Sequence, residues 1–261
     1  MATYLYLLLS PARSEAPPHD LAGVLDAPVR AFTATLGESV VEAWVSSIED
    51  LPSPEADRAA IASLAMRHNA VVDAALATGR TPLPARFGQR FTDDDACIAD
   101  IERRAASLLP ALERVAGCVE MGVLLIERHA TGADIEQRKP AVAAVKEPGA
   151  GRRYLEARRE HLSREAQRRG DMQPTLAALH EATVSLVRGE SVSFSTPGVW
   201  SVLHLVPREL VVVYREAIAR VAGTLPLRVV HIGPRAPYGF TDPVRPVGRE
   251  GHDSGSLISS D

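Results

Sequence analysis

The chain has 261 residues, 46% of them apolar and 24% charged, so it is long enough for two ordinary domains that hide roughly 70–75% of their unfolded surface without metal or disulfide staples. A net charge of −4 and an aromatic content of 5% argue against a protein whose whole surface serves nucleic acid or an anionic membrane. Two cysteines without paired spacing, Cys97 and Cys118, point to buried thiols in a reducing compartment rather than to a disulfide or zinc site.

In chain order, Thr3–Leu9 is a β-rich apolar run that ends at Ser10-Pro11 and reads as a buried strand. It has no basic residue before it and is far shorter than the ~20 residues of a membrane helix. No other segment approaches that length, so the protein is expected in the cytosol, off the membrane. Ala12–Asp20, with Pro17-Pro18, is a loop. Val29–Leu36 and Ser39–Ile48 flank Gly37 as a hairpin. After Pro52 and Pro54, the positions Ile61, Leu64, Ala65, His68, Val72, Ala75 and Leu76 recur at helical spacing, and Gly79 supplies the stop. Leu83–Phe91 reads as a strand. Thr92 is placed to cap the next helix, with Asp93, Asp94 and Asp95 in the first turn, where the helix dipole favours negative charge. That helix carries Ile98, Ile101, Ala105, Leu108, Leu112 and Val115, and Pro110 should kink or split it.

From Gly117 onward the pattern changes. Cys118–Ile126 is a strand, residues 129–151 form a linker, and Arg152–Arg169 is a helix with seven arginines and three glutamates. A second helix carries Met172, Leu176, Leu179, Thr183 and Leu186. Ser191–Ser195 and Val199–Val206 are strands split by Pro197-Gly198, Pro207–Val221 is a helix, and Leu227–Ile232 is a last strand. The order β, α, β, β, α, β is that of a ferredoxin-like sandwich. The fold expectation is therefore α+β in two domains: an N-terminal mixed α/β domain over 1–116, and a C-terminal modified ferredoxin-like (βαββαβ) domain over 117–246 with a long helical crossover. Residues 247–261 read as a disordered tail.

Candidate chemistry is sparse. Gly251-His252-Asp253-Ser254-Gly255 holds the residue types of a serine-hydrolase triad, but such a triad needs a rigid frame and an oxyanion hole. The three aspartates lack the spacing of a calcium loop. There is no HExxH, GxGxxG or GxxxxGK[ST], so no metal or cofactor is expected. His68 sits on an apolar helix stripe, where a hydrogen-bonded core histidine is the favoured reading over a catalytic base. The arginine-rich helix reads as a solvated face with room for an acidic partner. Two stiff, aromatic-bearing turns remain: Pro82–Gly88 and Gly233–Phe240. Prolines pre-order both, so each serves as a strand anchor or as a recognition surface presented at low entropic cost.

Taken in order, several short segments resemble the gas vesicle protein GvpL/GvpF family: Arg67-His68-Asn69-Ala70-Val71-Val72, Leu83-Pro84-Ala85-Arg86-Phe87-Gly88, Gly117–Val123, Gly149–Leu155, Leu203-His204-Leu205-Val206 and Gly233–Phe240. The resemblance runs from Tyr4-Leu5-Tyr6 to Phe240. It departs at Met121, where Trp is usual, at Leu124, where Lys is common, and at Arg235-Ala236, which stand for Trp-Pro. It implies a non-enzymatic accessory protein of the cytoplasm and gas vesicle. Such a protein binds the small hydrophobic shell protein and other gas vesicle accessory proteins, promotes nucleation and assembly, and becomes a minor vesicle component. No cofactor is implied, and neither nucleic acid nor membrane is expected as a partner. Arg86, Phe87, Tyr238 and Phe240 are expected to shape or border the partner-binding surface. The rival expectation is a small-ligand-binding protein or enzyme on a ferredoxin-like scaffold, with His68, Arg86 or Glu120 in a deep pocket. A weaker third expectation is a nucleic-acid binder working through the arginine-rich helix.

Overall fold

A computed structural model of the chain describes residues 1–12, 17–49, 51, 58–127, 159, 167, 170–196 and 198–241. The expectations for residues 129–151, for most of Arg152–Arg169, for Gly251–Gly255 and for the tail lie outside these residues.

The first half is built on an antiparallel sheet of β1 (Ala2–Leu9), β2 (Arg30–Leu36), β3 (Ser39–Ile48), β4 (Leu83–Pro84) and β5 (Arg90–Phe91). The strand order is β2-β3-β1-β4, with β5 also paired to β1. β2 and β3 form the hairpin around Gly37, with Leu36 opposite Ser39. β1 is apolar apart from Thr3 because both of its faces are covered. Tyr4, Tyr6, Leu7 and Leu9 face one core, and Leu5 and Leu8 face another. The adjacent residues Tyr6 and Leu7 share a side because the register with β3 slips between Leu5 and Leu7, a bulge that breaks the alternation. Helix α1 (Arg58–Ala77) covers the tyrosine side through Leu64, Val71, Val72 and Ala75. Helices α2 (Asp94–Arg103) and α3 (Ala105–Val115) cover the other.

Three local expectations are corrected. Leu83–Phe91 is not one strand. Its ends pair with β1 as β4 and β5, while Pro84 removes a donor and Gly88 adopts φ +85°, so the middle loops outward. The cap of α2 is Asp93 rather than Thr92, its side chain accepting from the Ala96 N–H at 2.8 Å. The long helix breaks at Arg104, not at Pro110, which lies inside α3. Pro110 and Ala106 are both exposed, so the carbonyl that the missing N–H leaves free faces water. Asp94, for its part, takes a bidentate pair from Arg30 at 2.7 Å, and these hydrogen bonds hold its carboxyl below the usual carboxylate range.

The second half contains a sheet of order β7-β8-β6-β9, made from β6 (Cys118–Ile126), β7 (Gly189–Thr196), β8 (Val199–Pro207) and β9 (Arg228–Arg235), all antiparallel. Two helices, α4 (residues 170–183) and α5 (Val211–Ala222), pack on one face. There Val119, Met121, Val123 and Leu125 alternate along β6 and meet Met172, Leu179, Tyr214 and Ile218. The opposite face contributes Cys118 and Leu205 to the core that holds α3. Polar ties close the junction between the halves: Arg208 donates to the Arg80 carbonyl at 2.7 Å, Thr81 to the Cys118 carbonyl at 3.0 Å, and Arg188 to the Ala116 carbonyl at 2.9 Å. Cys97 and Cys118 are buried and free, and burial pushes the Cys97 thiol up to about 12, so it is an inert core group. No described helix is long and apolar enough to cross a membrane.

Candidate functional site

Three of the sequence segments that resemble the family converge where the two sheets meet. Arg67-His68-Asn69 lies on α1, Leu83–Gly88 is β4 with the outward loop that follows it, and Gly233–Phe240 is the end of β9 with the turn after it.

Tyr4 organises the first contact. Its hydroxyl oxygen accepts the Gly88 N–H at 3.0 Å and lies 2.9 Å from His68 Nδ1. A phenol that donates its proton to Nδ1 pairs with the neutral Nε2–H tautomer of His68. His68 is 1% exposed. The Ala85 carbonyl is near enough to favour its protonated form, but Nε2 makes no hydrogen bond of normal geometry. Desolvation dominates and lowers the imidazole from 6.5 to about 4, while burial raises Tyr4 to about 12. His68 is therefore a neutral core brace. Its ring stands edge-on to Phe87 with centroids 6.0 Å apart.

The folded-state value below 6.5 sets a sign. Stability from His68 is complete above the unfolded value and declines as the pH falls from about 6.5 to about 4, because only the unfolded chain takes the proton there. Burial depresses His204 in the same direction. The His68 shift corresponds to about 3 kcal/mol at most. Thermal melts should fall steadily between pH 7 and pH 4, and His68→Gln, which keeps an acceptor for Tyr4, should flatten that slope. An unchanged slope would show that His68 is protonated in the folded state.

Glu120 organises the second contact. This carboxylate on β6 is 0% exposed. Its Oε1 receives Arg235 Nε at 2.7 Å and Nη2 at 2.6 Å, and its Oε2 receives the Gly239 N–H at 2.6 Å. A Cβ at position 239 would stand 2.7 Å from Leu203 Cδ1 and 2.9 Å from Glu120 Oε2, so a larger residue there would push those side chain ends aside and loosen the clamp. With the turn held, Tyr238 donates to Asn69 Oδ1 at 2.7 Å, joining it to α1. Ala236 is buried with Tyr4 and Tyr6. Phe240 is buried at 6% in the core shared with α3, and the Arg114 guanidinium donates to its carbonyl.

The four residues expected at the surface thus divide. Arg86, Phe87 (38% exposed) and Tyr238 (37%) reach solvent, while Phe240 shapes the turn from beneath. Phe87 and Tyr238 brace against consecutive residues of α1, and Met66, exposed at 67%, lies one turn earlier on the face that carries Asn69. Arg86 also rims a depression of about 380 Å3 floored by Leu5, Leu8, Leu83 and Leu108. Neither His68 nor Glu120 lines it. Among the described residues no group of three or more His, Cys, Asp or Glu is placed to hold a metal ion. Sequence reasoning missed Tyr4 and the anchoring role of Glu120. The available signal was a charged residue inside the apolar strand Cys118–Ile126, which demands a buried partner.

The geometry has counterparts among solved structures. The GvpF crystal structure from Anabaena sp. PCC7120 covers 95% of this chain and 99% of its own at a TM-score of 0.62 and 16% identity. GvpF from Microcystis aeruginosa covers 92% and 99% at a TM-score of 0.66 and 16% identity. At such identity these two establish a shared fold: mixed α/β with antiparallel sheets. A search of curated proteins returns no match. The family model described as gas vesicle synthesis protein GvpL/GvpF matches residues 2–242, nearly the whole chain. This protein belongs to the GvpL/GvpF gas vesicle family.

Proposed function

We propose that the protein promotes nucleation and assembly of gas vesicles by binding the hydrophobic shell protein and other accessory proteins, without catalysis, in the cytoplasm and as a minor component of the vesicle. The observation that carries the proposal is the pair Phe87 and Tyr238: exposed aromatics on turns that are braced from below by buried polar groups. Rigid, part-exposed aromatics are preferred anchors of protein interfaces. With exposed Met66 one turn before Asn69 on α1, they give an apolar patch, which suits the apolar face of a subunit that would otherwise aggregate.

The same reading takes the two sheets as two domains, residues 1–116 and 117–246. The order β7-β8-β6-β9, with two helices on one face, supports a ferredoxin-like arrangement for the second. The test is capture of the cognate shell protein by the purified protein. Phe87→Ala and Tyr238→Ala, each checked for folding by circular dichroism, should weaken capture about tenfold or more, the range of interface hot spots. Undiminished capture by both folded variants would remove this surface from the contact.

A further inference from the structure

The second sheet has one edge that the junction does not use. β7 is a terminal strand, hydrogen-bonded to β8 on one side. Terminal strands expose unpaired N–H and C=O groups, which proteins usually blunt with proline or charge. The opposite edge, β9, carries Arg228, Pro234 and Arg235. β7 has no proline, and Glu190 is its only charged residue.

Beside β7, α4 and the sheet enclose a groove of about 470 Å3. Its apolar lining includes Leu176, Phe194 and Trp200, the two rings lying 4.5 Å apart at 39°. Its polar lining includes Glu190 and His180, and among the described residues no Lys or Arg lines it. The Glu190 carboxylate is held in place from inside the fold. Buried His204 donates from Nε2 to Glu190 Oε2 at 3.0 Å, and Tyr214 donates to His204 Nδ1 at 2.7 Å. Exposed His180 lies 3.4 Å from the same oxygen. Burial lowers the His204 imidazole and keeps it neutral at pH 7, so it orients Glu190 without neutralising it. Among the described residues both ionic partners of Glu190 are imidazoles. The result is a negative charge in one groove with the partly exposed Phe194 ring, next to a strand edge that no other described strand pairs.

We infer that this groove docks an extended, basic segment of a partner protein, whose backbone pairs along the outer edge of β7 while one Lys or Arg side chain enters the groove beside Phe194 to meet Glu190. The backbone edge selects an extended peptide, and the carboxylate with the Phe194 ring selects a cation. The inference rests on the assembly reading for the partner being a protein, but it uses a surface separate from Phe87 and Tyr238.

The probe is a fluorescein-labelled heptapeptide with blocked ends, Ser-Thr-Val-Lys-Val-Thr-Ser, titrated by anisotropy into the full chain. Binding should weaken at least tenfold when the lysine becomes glutamate, when alternate amides are N-methylated, or when the protein carries Glu190→Gln. That variant keeps an oxygen for His204. On the wild type, the peptide should also slow hydrogen exchange of amides within 189–196. The inference is overturned by equal binding of the Lys and Glu peptides, by undiminished binding of the N-methylated peptide, by protection elsewhere, or by no binding at millimolar concentration. Loss of peptide binding with intact capture of the shell protein would sink this inference alone.

Discussion

Glu42→Ala is expected to lower stability by about 3–5 kcal/mol, the cost of stranding one member of a buried ion pair. Glu42 on β3 receives Arg80 Nη1 at 3.0 Å and Trp44 Nε1 at 2.6 Å, and the pair's side chains are only 6% and 3% exposed. Arg80 cannot turn to water, because its other arm donates to the Pro11 carbonyl at 2.8 Å and its own carbonyl accepts from Arg208. With total stabilities near 5–15 kcal/mol, such a loss is a large fraction of the whole. Urea unfolding should show the midpoint move sharply lower. Folded Glu42→Ala protein should still capture the shell protein, since the pair lies apart from Phe87 and Tyr238. A change below 1 kcal/mol would mean that water reaches the pair.

Glu120→Ala should behave differently. Arg235 is 40% exposed and can re-solvate, so the stranded charge contributes little. The loss is the buried hydrogen bond from Gly239, about 1–3 kcal/mol. Its effect on binding should be larger than its effect on stability. Without the carboxylate the Gly233–Phe240 turn loses its clamp, and Tyr238 loses the position that lets it reach Asn69. Capture of the shell protein should fall at least as far as with Tyr238→Ala, while Glu120→Gln, which keeps an acceptor for Gly239, should retain most of it. Equal capture by Glu120→Ala and wild type would separate the turn from the binding surface. Unfolding curves and capture measured on the same preparations distinguish the two variants: Glu42 governs stability, Glu120 presentation.

Much of the fold was legible because its signals are local. The β1 run, the Gly37 hairpin, the α1 stripe and the alternation along Cys118–Ile126 each report periodicity within one element. The errors arose where a distant partner decides the local outcome. Leu83–Phe91 has strand composition, but β1 pairs only with its ends. Thr92 and Asp93 are both good caps, and only the path out of β5 chooses between them. Pro110 has the chemistry of a helix breaker, yet its exposed position lets water take the freed carbonyl. The site was legible as two stiff turns but not as one place. Tyr4 and Gly88 are 84 residues apart, and Glu120 and Gly239 are 119 apart, separations that no periodicity reveals. The Tyr214–His204–Glu190 chain was hidden for the same reason: in sequence, His204 looks like one polar residue in an apolar strand.

The most direct measurement is photo-crosslinking from the surface itself. Benzoylphenylalanine replaces Phe87 in one preparation and Val212, exposed on α5, in another, each mixed with the cognate shell protein and irradiated. Crosslinked shell protein from position 87 and none from position 212 is the predicted result. Equal yields from both positions, or a yield from position 212 alone, would contradict a binding surface built on the braced turns.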